Sequence, residues 1–209
     1  MSAGTRQSVH LRRGDMRRRA LLEATRGLLT RVSFDELSVS DISRNAGVTR
    51  TGFYFYFETK YSVLAAMFEN VCRDIVSSPR GFDFARDGAE TAEACVERAL
   101  TSATSAFERH RDVLTACLAA RNSSDEIEAV LDRQLHRLVE LITAKFASGD
   151  LRADATASTA PIVRVLIGTT MLTLAGDSAF VGSACAVPDG LLALKSLWLE
   201  ALAKHSIRT

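Results

Sequence analysis

Apolar residues recur at helical spacing along most of the chain, and this pattern predicts an all-α protein. The first long helix is expected from Met16 to about Val32, with Asp15 as its N-cap. Its predicted buried stripe is Leu21, Thr25, Leu28 and Val32, flanked by Leu22 and Leu29, and Phe34 and Leu37 are expected to pack the corner that follows. Later helices are expected after Thr59, over residues 89–110, 112–121 and 125–148, from 155 or 159 to 177, and over 189–207. Pro161 favours the later start at 159.

Two short helices joined by a tight turn are predicted after that corner. Ser38 and Asp41 have the spacing of a capping box at the start of one helix. Gly47 suits the αL residue that ends this helix, and Thr49 is the expected N-cap of the next, which begins at Arg50. Such a pair is a helix-turn-helix, whose second helix enters the major groove of DNA.

The residue types around this turn suit DNA binding. Arg50 and Thr51 lie at the start of the second helix, where side chains reach base edges, and arginine pairs bidentately with guanine. Gly52 has no side chain, which predicts close approach of the helix to DNA. Nearby hydroxyl, phenol and ammonium groups are expected to hold phosphate oxygens, which set the register on the duplex. The predicted DNA-binding set is Ser38, Ser40, Arg44, Thr49, Arg50, Thr51, Gly52, Tyr54, Tyr56 and Lys60.

An unbroken aromatic run from Phe53 to Phe57 follows, in which these two phenylalanines, at i and i+4, are expected to face inward. The stretch Gly-Val-Thr-Arg-Thr-Gly-Phe-Tyr-Phe-Tyr-Phe-Glu-Thr-Lys, residues 47–60, resembles the recognition segment of the tetracycline-repressor (TetR) family. Its double Phe-Tyr pair is closest to the branch that includes the ethionamide-activation repressor. The resemblance is specific over residues 15–74. It implies dimerisation through a four-helix interface, two C-terminal helices from each chain, and a small-molecule effector in the helical second domain.

Charge is unevenly distributed, which also favours a DNA-binding head. The whole chain has a net charge of only +1. Residues 1–61 hold eleven Lys and Arg against six Asp and Glu, so that they carry +5 while the remainder carries −4. A basic segment of this kind attracts the phosphate backbone.

Three segments are therefore expected. Residues 1–14 are predicted to be a flexible basic arm, which either reaches into the minor groove or remains a solvated tail. Residues 15–77 are predicted to form the three-helix DNA-binding head, and residues 78–209 a helical domain for effector binding and dimerisation.

The last two predicted helices are apolar on more than one face. Leu191, Leu194, Trp198 and Ala201 form one row of the last helix, and Leu192, Leu199 and Leu202 form another. A helix this apolar is buried on two sides. A second copy of the chain is the expected cover, with Leu194 and Trp198 at the dimer interface, and a purely internal helix pair is the alternative.

Helix faces in the second domain are rich in Leu, Ile, Val and Ala, with few polar groups. Ligand pockets share this composition, so a mostly apolar effector is expected, although the same residues would also fill a core. The predicted ligand-binding set is Phe107, Asn122, Phe146, Arg164, Thr169, Thr173 and Trp198. Arg164 is expected either to reach solvent or to meet an anionic group.

Other classes of protein are disfavoured by the sequence. The four cysteines show no C-x-x-C spacing, so no metal is expected, and they are predicted to be buried small residues. The four histidines are scattered without a nucleophile or a glycine-rich phosphate loop, so neither catalysis nor a cofactor is predicted. No apolar run is long enough to span a membrane and no signal peptide is visible, which predicts a cytoplasmic protein.

The sequence thus predicts a homodimeric, sequence-specific DNA-binding transcriptional regulator. Its expected partners are a double-stranded DNA operator, a second copy of the chain and a small-molecule effector. The protein is expected to be a repressor that leaves its operator when the effector binds. An activator, a regulator without an effector and a protein-interaction scaffold remain alternatives.

Overall fold

The computed structural model describes residues 3–77, 91–148, 156–177 and 187–206, and in some helical stretches, including 3–13, the backbone alone. Every regular element in these ranges is an α-helix, which confirms the predicted all-α class. The helices are α1 (Ala3–Leu29), α2 (Val39–Asn45), α3 (Arg50–Tyr54), α4 (Lys60–Ser77), α5 (Ala92–Arg109), α6 (Arg111–Ala120), α7 (Asp125–Ser148), α8 (Thr156–Ala175) and α9 (Val187–Ser206). None of the helices in the described ranges is long and apolar enough to cross a membrane.

The first helix begins much earlier than the sequence predicts. It starts at Ala3, so the expected flexible arm is helical from that residue onward and Asp15 lies inside the helix rather than at its N-cap. No proline interrupts this stretch, and its leucine, glutamine and arginine residues favour helix formation. The helix therefore continues through Gly4 and Gly14. The helix then ends at Leu29, and Val32, predicted to be in the buried stripe, is exposed.

The start of α8 agrees with the earlier of the two predicted starts, near residue 155, and not with the later start at 159 that Pro161 favoured. The helix begins at Thr156, so Pro161 lies inside it. Proline lacks a backbone N–H, but near the start of a helix that loss removes a single bond of the first turns.

Packing divides the chain into two compact units, and neither is continuous in sequence. Unit 1 comprises Met1–Val71 and Asp112–Leu131, and unit 2 comprises Cys72–Arg111 and Asp132–Thr209. The division by packing therefore differs from the continuous boundary expected at residues 77–78, because α6 and the first part of α7 belong with the N-terminal helices.

Two polar contacts tie these later helices to the N-terminal part of unit 1. Arg26 Nε on α1 lies 3.5 Å from Asp112 Oδ2 on α6. The Ser62 hydroxyl on α4 donates to Glu126 Oε2 on α7 at 3.1 Å. Both contacts join residues far apart in sequence, so no local pattern predicts them.

Residues of the helix-turn-helix contribute to the core of unit 1. Its buried apolar residues include Leu21, Phe34, Leu37, Ile42, Phe53, Phe57, Val63, Leu64, Phe68, Val113 and Ile127. The α1 stripe at Leu21 and Thr25 and the corner at Phe34 and Leu37 are thus confirmed. The hydroxyl of buried Thr25 has a hydrogen-bond partner, because it donates to the Leu21 carbonyl at 2.8 Å.

The core of unit 2 contains two residues that the sequence placed at a dimer surface. Leu194 and Trp198 on α9 are buried with Val96, Ala99, Val139, Ile142, Val163, Leu166 and Ile167. The Trp198 indole N–H donates to the Thr170 hydroxyl at 3.5 Å. The row of Leu194 and Trp198 therefore faces the core of its own chain, and the exposed apolar residues of α8 and α9 lie on other faces.

Candidate DNA-binding site

The helix-turn-helix begins at a complete capping box on α2. The Ser38 hydroxyl accepts from the Asp41 backbone N–H, and the Asp41 carboxylate accepts from the Ser38 backbone N–H, both at 3.2 Å. Hydrogen bonds from the Ser38 side chain and then its backbone lower the pKa of Asp41. The Ser38 hydroxyl also donates to Asp41 Oδ2, which leaves this serine no donor for a phosphate. The DNA contact predicted for Ser38 is therefore disfavoured, and its role is to cap α2.

The turn between α2 and α3 forms as the sequence predicts. Gly47 has φ of 65°, a left-handed conformation that glycine adopts without steric cost. The Val48 N–H donates to the Ser43 carbonyl at 3.0 Å. The Thr49 hydroxyl oxygen then accepts from the Gly52 N–H at 3.0 Å, so that Thr49 is the N-cap of α3. These bonds fix the direction in which α3 leaves the turn.

α3 has one buried and one exposed face. Phe53 is fully buried and its ring centroid lies 5.9 Å from that of buried Phe57, which confirms that this pair faces inward. Arg50 and Thr51 are exposed at the first turn, and Tyr54 is also exposed. The exposed face therefore presents a cation, a hydroxyl and a phenol to any bound duplex.

Arg50 is supported by two neighbouring side chains. Its Nη1 lies 3.5 Å from the Ser40 hydroxyl on α2, and its Nη2 lies 3.4 Å from the Tyr54 hydroxyl. The guanidinium carbon also lies 5.9 Å from the centroid of the Tyr54 ring. Hydrogen bonds this long are weak, so the guanidinium is oriented but can exchange these partners for a base edge.

The remaining predicted contacts differ in how available they are. Arg44 is well exposed and pairs with Asp41 at 3.4 Å, a surface ion pair of little energy. The Thr49 hydroxyl accepts in the cap and keeps its proton for a phosphate oxygen. Tyr56 is half-buried, with its ring 5.1 Å from that of Phe55.

Gly52 is required by packing within the turn itself. A Cβ at this position would lie 2.9 Å from Val48 Cγ1 and 3.1 Å from Thr49 Oγ1. Distances this short displace the Thr49 cap or the Val48 side chain. The absence of a side chain at Gly52, predicted to serve approach to DNA, thus has a sufficient cause inside the protein.

Lys60 is the clearest departure from the predicted set. Its Nζ lies 3.0 Å from each of three backbone carbonyl oxygens, those of Phe34, Asp35 and Leu37. An ammonium has three N–H donors, so all of them are used inside the protein. In this arrangement the ammonium of Lys60 has no N–H left for the phosphate contact that the sequence predicts.

One exposed aromatic residue was missing from the predicted set. Phe55 is 83% exposed and follows α3 directly, between two tyrosines. The sequence carries a signal for it, because Phe53 and Phe57 share one face at i and i+4 and the residue midway between them points away. An apolar ring at this position can contact a thymine methyl or a sugar.

The predicted ligand-binding residues do not form one group. Arg164 is partly exposed and pairs with Asp132. Thr169 donates to carbonyls of its own helix at 3.0 Å, and Asn122 is exposed and belongs to unit 1. The Phe146 side chain lies outside the described residues. The buried members are Phe107, Thr173 and Trp198, all in unit 2.

Among the residues that the structure describes, no cluster of three or more His, Cys, Asp and Glu can hold a metal ion. Cys117 is buried, as expected, whereas Cys72 is only half-buried. The side chains of Cys95 and Cys185 lie outside the described residues.

Comparison with known proteins supports the DNA-binding head. Residues 21–67 match the family described as "Bacterial regulatory proteins, tetR family". The chain is 29% identical over 141 residues to the HTH-type transcriptional regulator EthR of Mycolicibacterium smegmatis, covering 65% of this chain and 64% of that relative. The matched part thus spans less than two thirds of that relative's length.

Solved structures extend the likeness in fold. A TetR-family transcriptional regulator from Syntrophomonas wolfei superposes with a TM-score of 0.70 at 17% identity, covering 90% of this chain and 95% of that one. FadR of Thermus thermophilus, a TetR-family repressor, does so with a TM-score of 0.59 at 19% identity, covering 88% and 94%. The family and these relatives are transcriptional regulators, not enzymes. Residues 21–67, which contain the helix-turn-helix, are thus similar to the DNA-binding domain of TetR-family transcriptional regulators, and the fold is similar to that of solved structures from this family.

Proposed function

We propose that the protein is a homodimeric, sequence-specific DNA-binding repressor that leaves its operator when a small, mostly apolar molecule binds unit 2. The observation that carries the proposal is the exposed start of α3, where Arg50 and Thr51 follow the Thr49 cap while Phe53 is buried beneath them. The protein acts in the cytoplasm, where its operator is accessible.

DNA reading is assigned to the first turn of α3 and phosphate binding to the residues around it. Arg50 pairs with O6 and N7 of a guanine, with Thr51 and Phe55 beside it in the major groove. Arg44, Thr49, Tyr54 and Tyr56 hold phosphates on either side, and these contacts fix the register. Ser40 supports Arg50 from α2.

Selection of duplexes from a random-sequence pool, followed by mobility shift, tests this assignment. Arg50→Ala should cost about 1–3 kcal/mol and relax preference at one base pair in each half-site. Arg137→Ala, which removes an exposed arginine of α7 in unit 2, is the matched control and should leave selection unchanged. An Arg50→Ala protein that selects the same sequence with the same affinity contradicts the assignment.

Dimerisation is assigned to the exposed apolar residues of α8 and α9. Val165 on α8 is 64% exposed, and Leu192 and Leu197 on α9 are 66% and 51% exposed. Ile162 on α8 is a further exposed apolar residue. Both helices belong to unit 2 and pack on each other. Burying the same patch on two copies makes an isologous interface, which presents two recognition helices to half-sites about 34 Å apart.

Light scattering on the Val165→Glu and Leu192→Glu variants tests the interface. Each places a carboxylate in the proposed apolar contact and should give folded monomers that bind DNA weakly. Val32→Glu is the control, because Val32 is an exposed apolar residue of unit 1. Intact dimers for both unit 2 variants would contradict this interface.

Effector binding is assigned to the interior of unit 2. Phe107, Thr173 and Trp198 are buried there, in an interior with few polar groups. The structure of Thermus thermophilus FadR is a complex with lauroyl-CoA, and a fatty acyl compound suits an apolar interior. An effector changes DNA affinity only by the difference between its affinities for the two states of the protein.

Lauroyl-CoA and free dodecanoate are the first probes for this part of the proposal. A true effector raises the melting temperature of the full chain and releases the selected duplex in the same concentration range. Coenzyme A alone is the control for the nucleotide part. If no acyl or aromatic probe both stabilises the protein and changes its DNA affinity, the protein regulates without an effector.

A further inference from the structure

Lys60 occupies an unusual position for a lysine beside a DNA-binding surface. It is the first residue of α4, and its ammonium sits among the Phe34, Asp35 and Leu37 carbonyl oxygens at 3.0 Å from each. Charge-assisted bonds of this kind are about twice as strong as neutral ones. Nothing on this ammonium remains to donate to a phosphate.

Aromatic rings complete the surroundings of the ammonium. Lys60 Nζ lies 4.9 Å from the Phe34 ring centroid and 5.7 Å from that of Tyr61, within the range of cation–π attraction. The two rings themselves meet edge to face at 5.4 Å. Moving the ammonium to a phosphate would break three hydrogen bonds and two ring contacts at once.

The three carbonyls belong to the corner that leads directly into α2. The corner is closed by the Leu37 N–H, which donates to the Phe34 carbonyl at 3.2 Å. It is also closed by Ser33, whose hydroxyl and then backbone N–H lower the pKa of Glu36. Ser38, the cap of α2, is the next residue after this corner, so the position of the corner sets where α2 begins.

The helix that follows this corner also contacts the base-reading arginine. α2 carries Ser40, whose hydroxyl accepts from Arg50 at 3.5 Å. Lys60, by contrast, follows α3 in the chain and is held by residues that precede α2. It therefore clamps the two ends of the helix-turn-helix segment to each other.

We propose that Lys60 is a positioning residue for DNA recognition. It fixes the corner before α2 relative to the start of α4, and so holds α2 and α3 in the arrangement that aims Arg50. It does not neutralise a phosphate. This inference rests on the proposed DNA-binding function and names a residue on which its specificity depends.

Salt dependence of DNA binding separates a positioning role from a phosphate contact. Lys60→Met and Lys60→Arg are compared in the full chain with the tightest duplex that the wild type selects, and with poly(dI-dC) as non-specific DNA. Each phosphate contact contributes about 0.9 to the slope of log affinity against log salt. Lys60→Met should leave that slope for poly(dI-dC) unchanged, while affinity for the selected duplex falls about ten-fold or more.

The Lys60→Arg variant also distinguishes a positioning role from a phosphate contact. A planar guanidinium does not match three carbonyls that converge on one point, so Lys60→Arg should lose specificity as Lys60→Met does. A phosphate ligand would instead tolerate arginine, and Lys60→Met would reduce the slope by about 0.9. Either of these two results overturns the inference.

A destabilised control excludes a purely structural role. Val113→Ala removes buried volume from α6 in unit 1 and changes no residue of the corner itself. At a temperature where all variants are folded, Val113→Ala should keep the ratio of specific to non-specific affinity, and Lys60→Met should lower it. If Lys60→Met only lowers the melting temperature and keeps this ratio, the inference is wrong. If the wild type selects no duplex at all, the proposed function fails and this inference with it.

Discussion

Replacing Gly52 by alanine sets local helix propensity against packing. Alanine is more favourable than glycine in a helix by about 1 kcal/mol, so propensity alone predicts a more stable protein. In the structure the added Cβ would lie 2.9 Å from Val48 Cγ1 and 3.1 Å from Thr49 Oγ1. Val48 is β-branched and stiff at χ1, so it cannot turn aside at little cost.

The packing terms are expected to prevail. Overpacking of this kind costs about 1–3 kcal/mol. Displacing the Thr49 oxygen weakens the cap that it provides to the Gly52 N–H at 3.0 Å, a contribution of about 1 kcal/mol. After the gain in propensity is subtracted, the net destabilisation is about 1–3 kcal/mol.

Denaturant unfolding of the full chain, followed by far-UV circular dichroism, measures the sign of this change. Gly27→Ala is the matched control, because Gly27 lies in α1 and an added Cβ there meets nothing within 4 Å. That variant should be stabilised by about 0.5–1 kcal/mol. If Gly52→Ala is stabilised to the same extent, the packing argument for Gly52 is refuted.

Three further changes have expected outcomes. Ser38→Ala should destabilise the protein by about 1 kcal/mol near neutral pH, measured by denaturant unfolding. The lowered pKa of Asp41 stabilises the fold above the ordinary aspartate pKa of about 4, and this contribution disappears as pH falls through the folded value. The difference between wild type and Ser38→Ala should therefore shrink in acid, and a constant difference would contradict the capping-box reasoning. Trp198→Ala should lower the free energy of unfolding by about 3–5 kcal/mol in thermal unfolding, because Trp198 is a core residue. A change in oligomeric state without that loss would indicate that Trp198 lies at the dimer interface instead. A double-mutant cycle on Arg164 and Asp132 should give a coupling below about 1 kcal/mol, and a larger value would indicate a buried pair.

The helix-turn-helix was determined by the sequence itself. The capping box at Ser38, the αL glycine at position 47, the Thr49 cap and the inward pair Phe53 and Phe57 all appear in the structure as predicted. Each of these signals acts between residues no more than four apart. Short-range hydrogen bonds and side-chain spacing are legible in a single sequence, because both partners lie in the same window.

Tertiary structure decided which apolar row of α9 became core. The sequence shows several rows of leucine on this helix, and any of them satisfies helical periodicity. Leu194 and Trp198 are inside because they meet Val96, Ile142 and other residues of distant helices, and Leu192 and Leu197 remain outside. Periodicity identifies the apolar faces, but only the arrangement of neighbouring helices selects the one that is buried.

Tertiary structure also decided the partners of the charged residues. Lys60 was expected on phosphate and Arg164 near a ligand, yet Lys60 binds the carbonyls of the corner before α2 and Arg164 pairs with Asp132. These partners lie more than twenty residues away along the chain. A charged side chain binds whichever opposite charge or carbonyl the fold brings within about 3 Å, and that neighbour is set by long-range packing rather than by adjacent sequence.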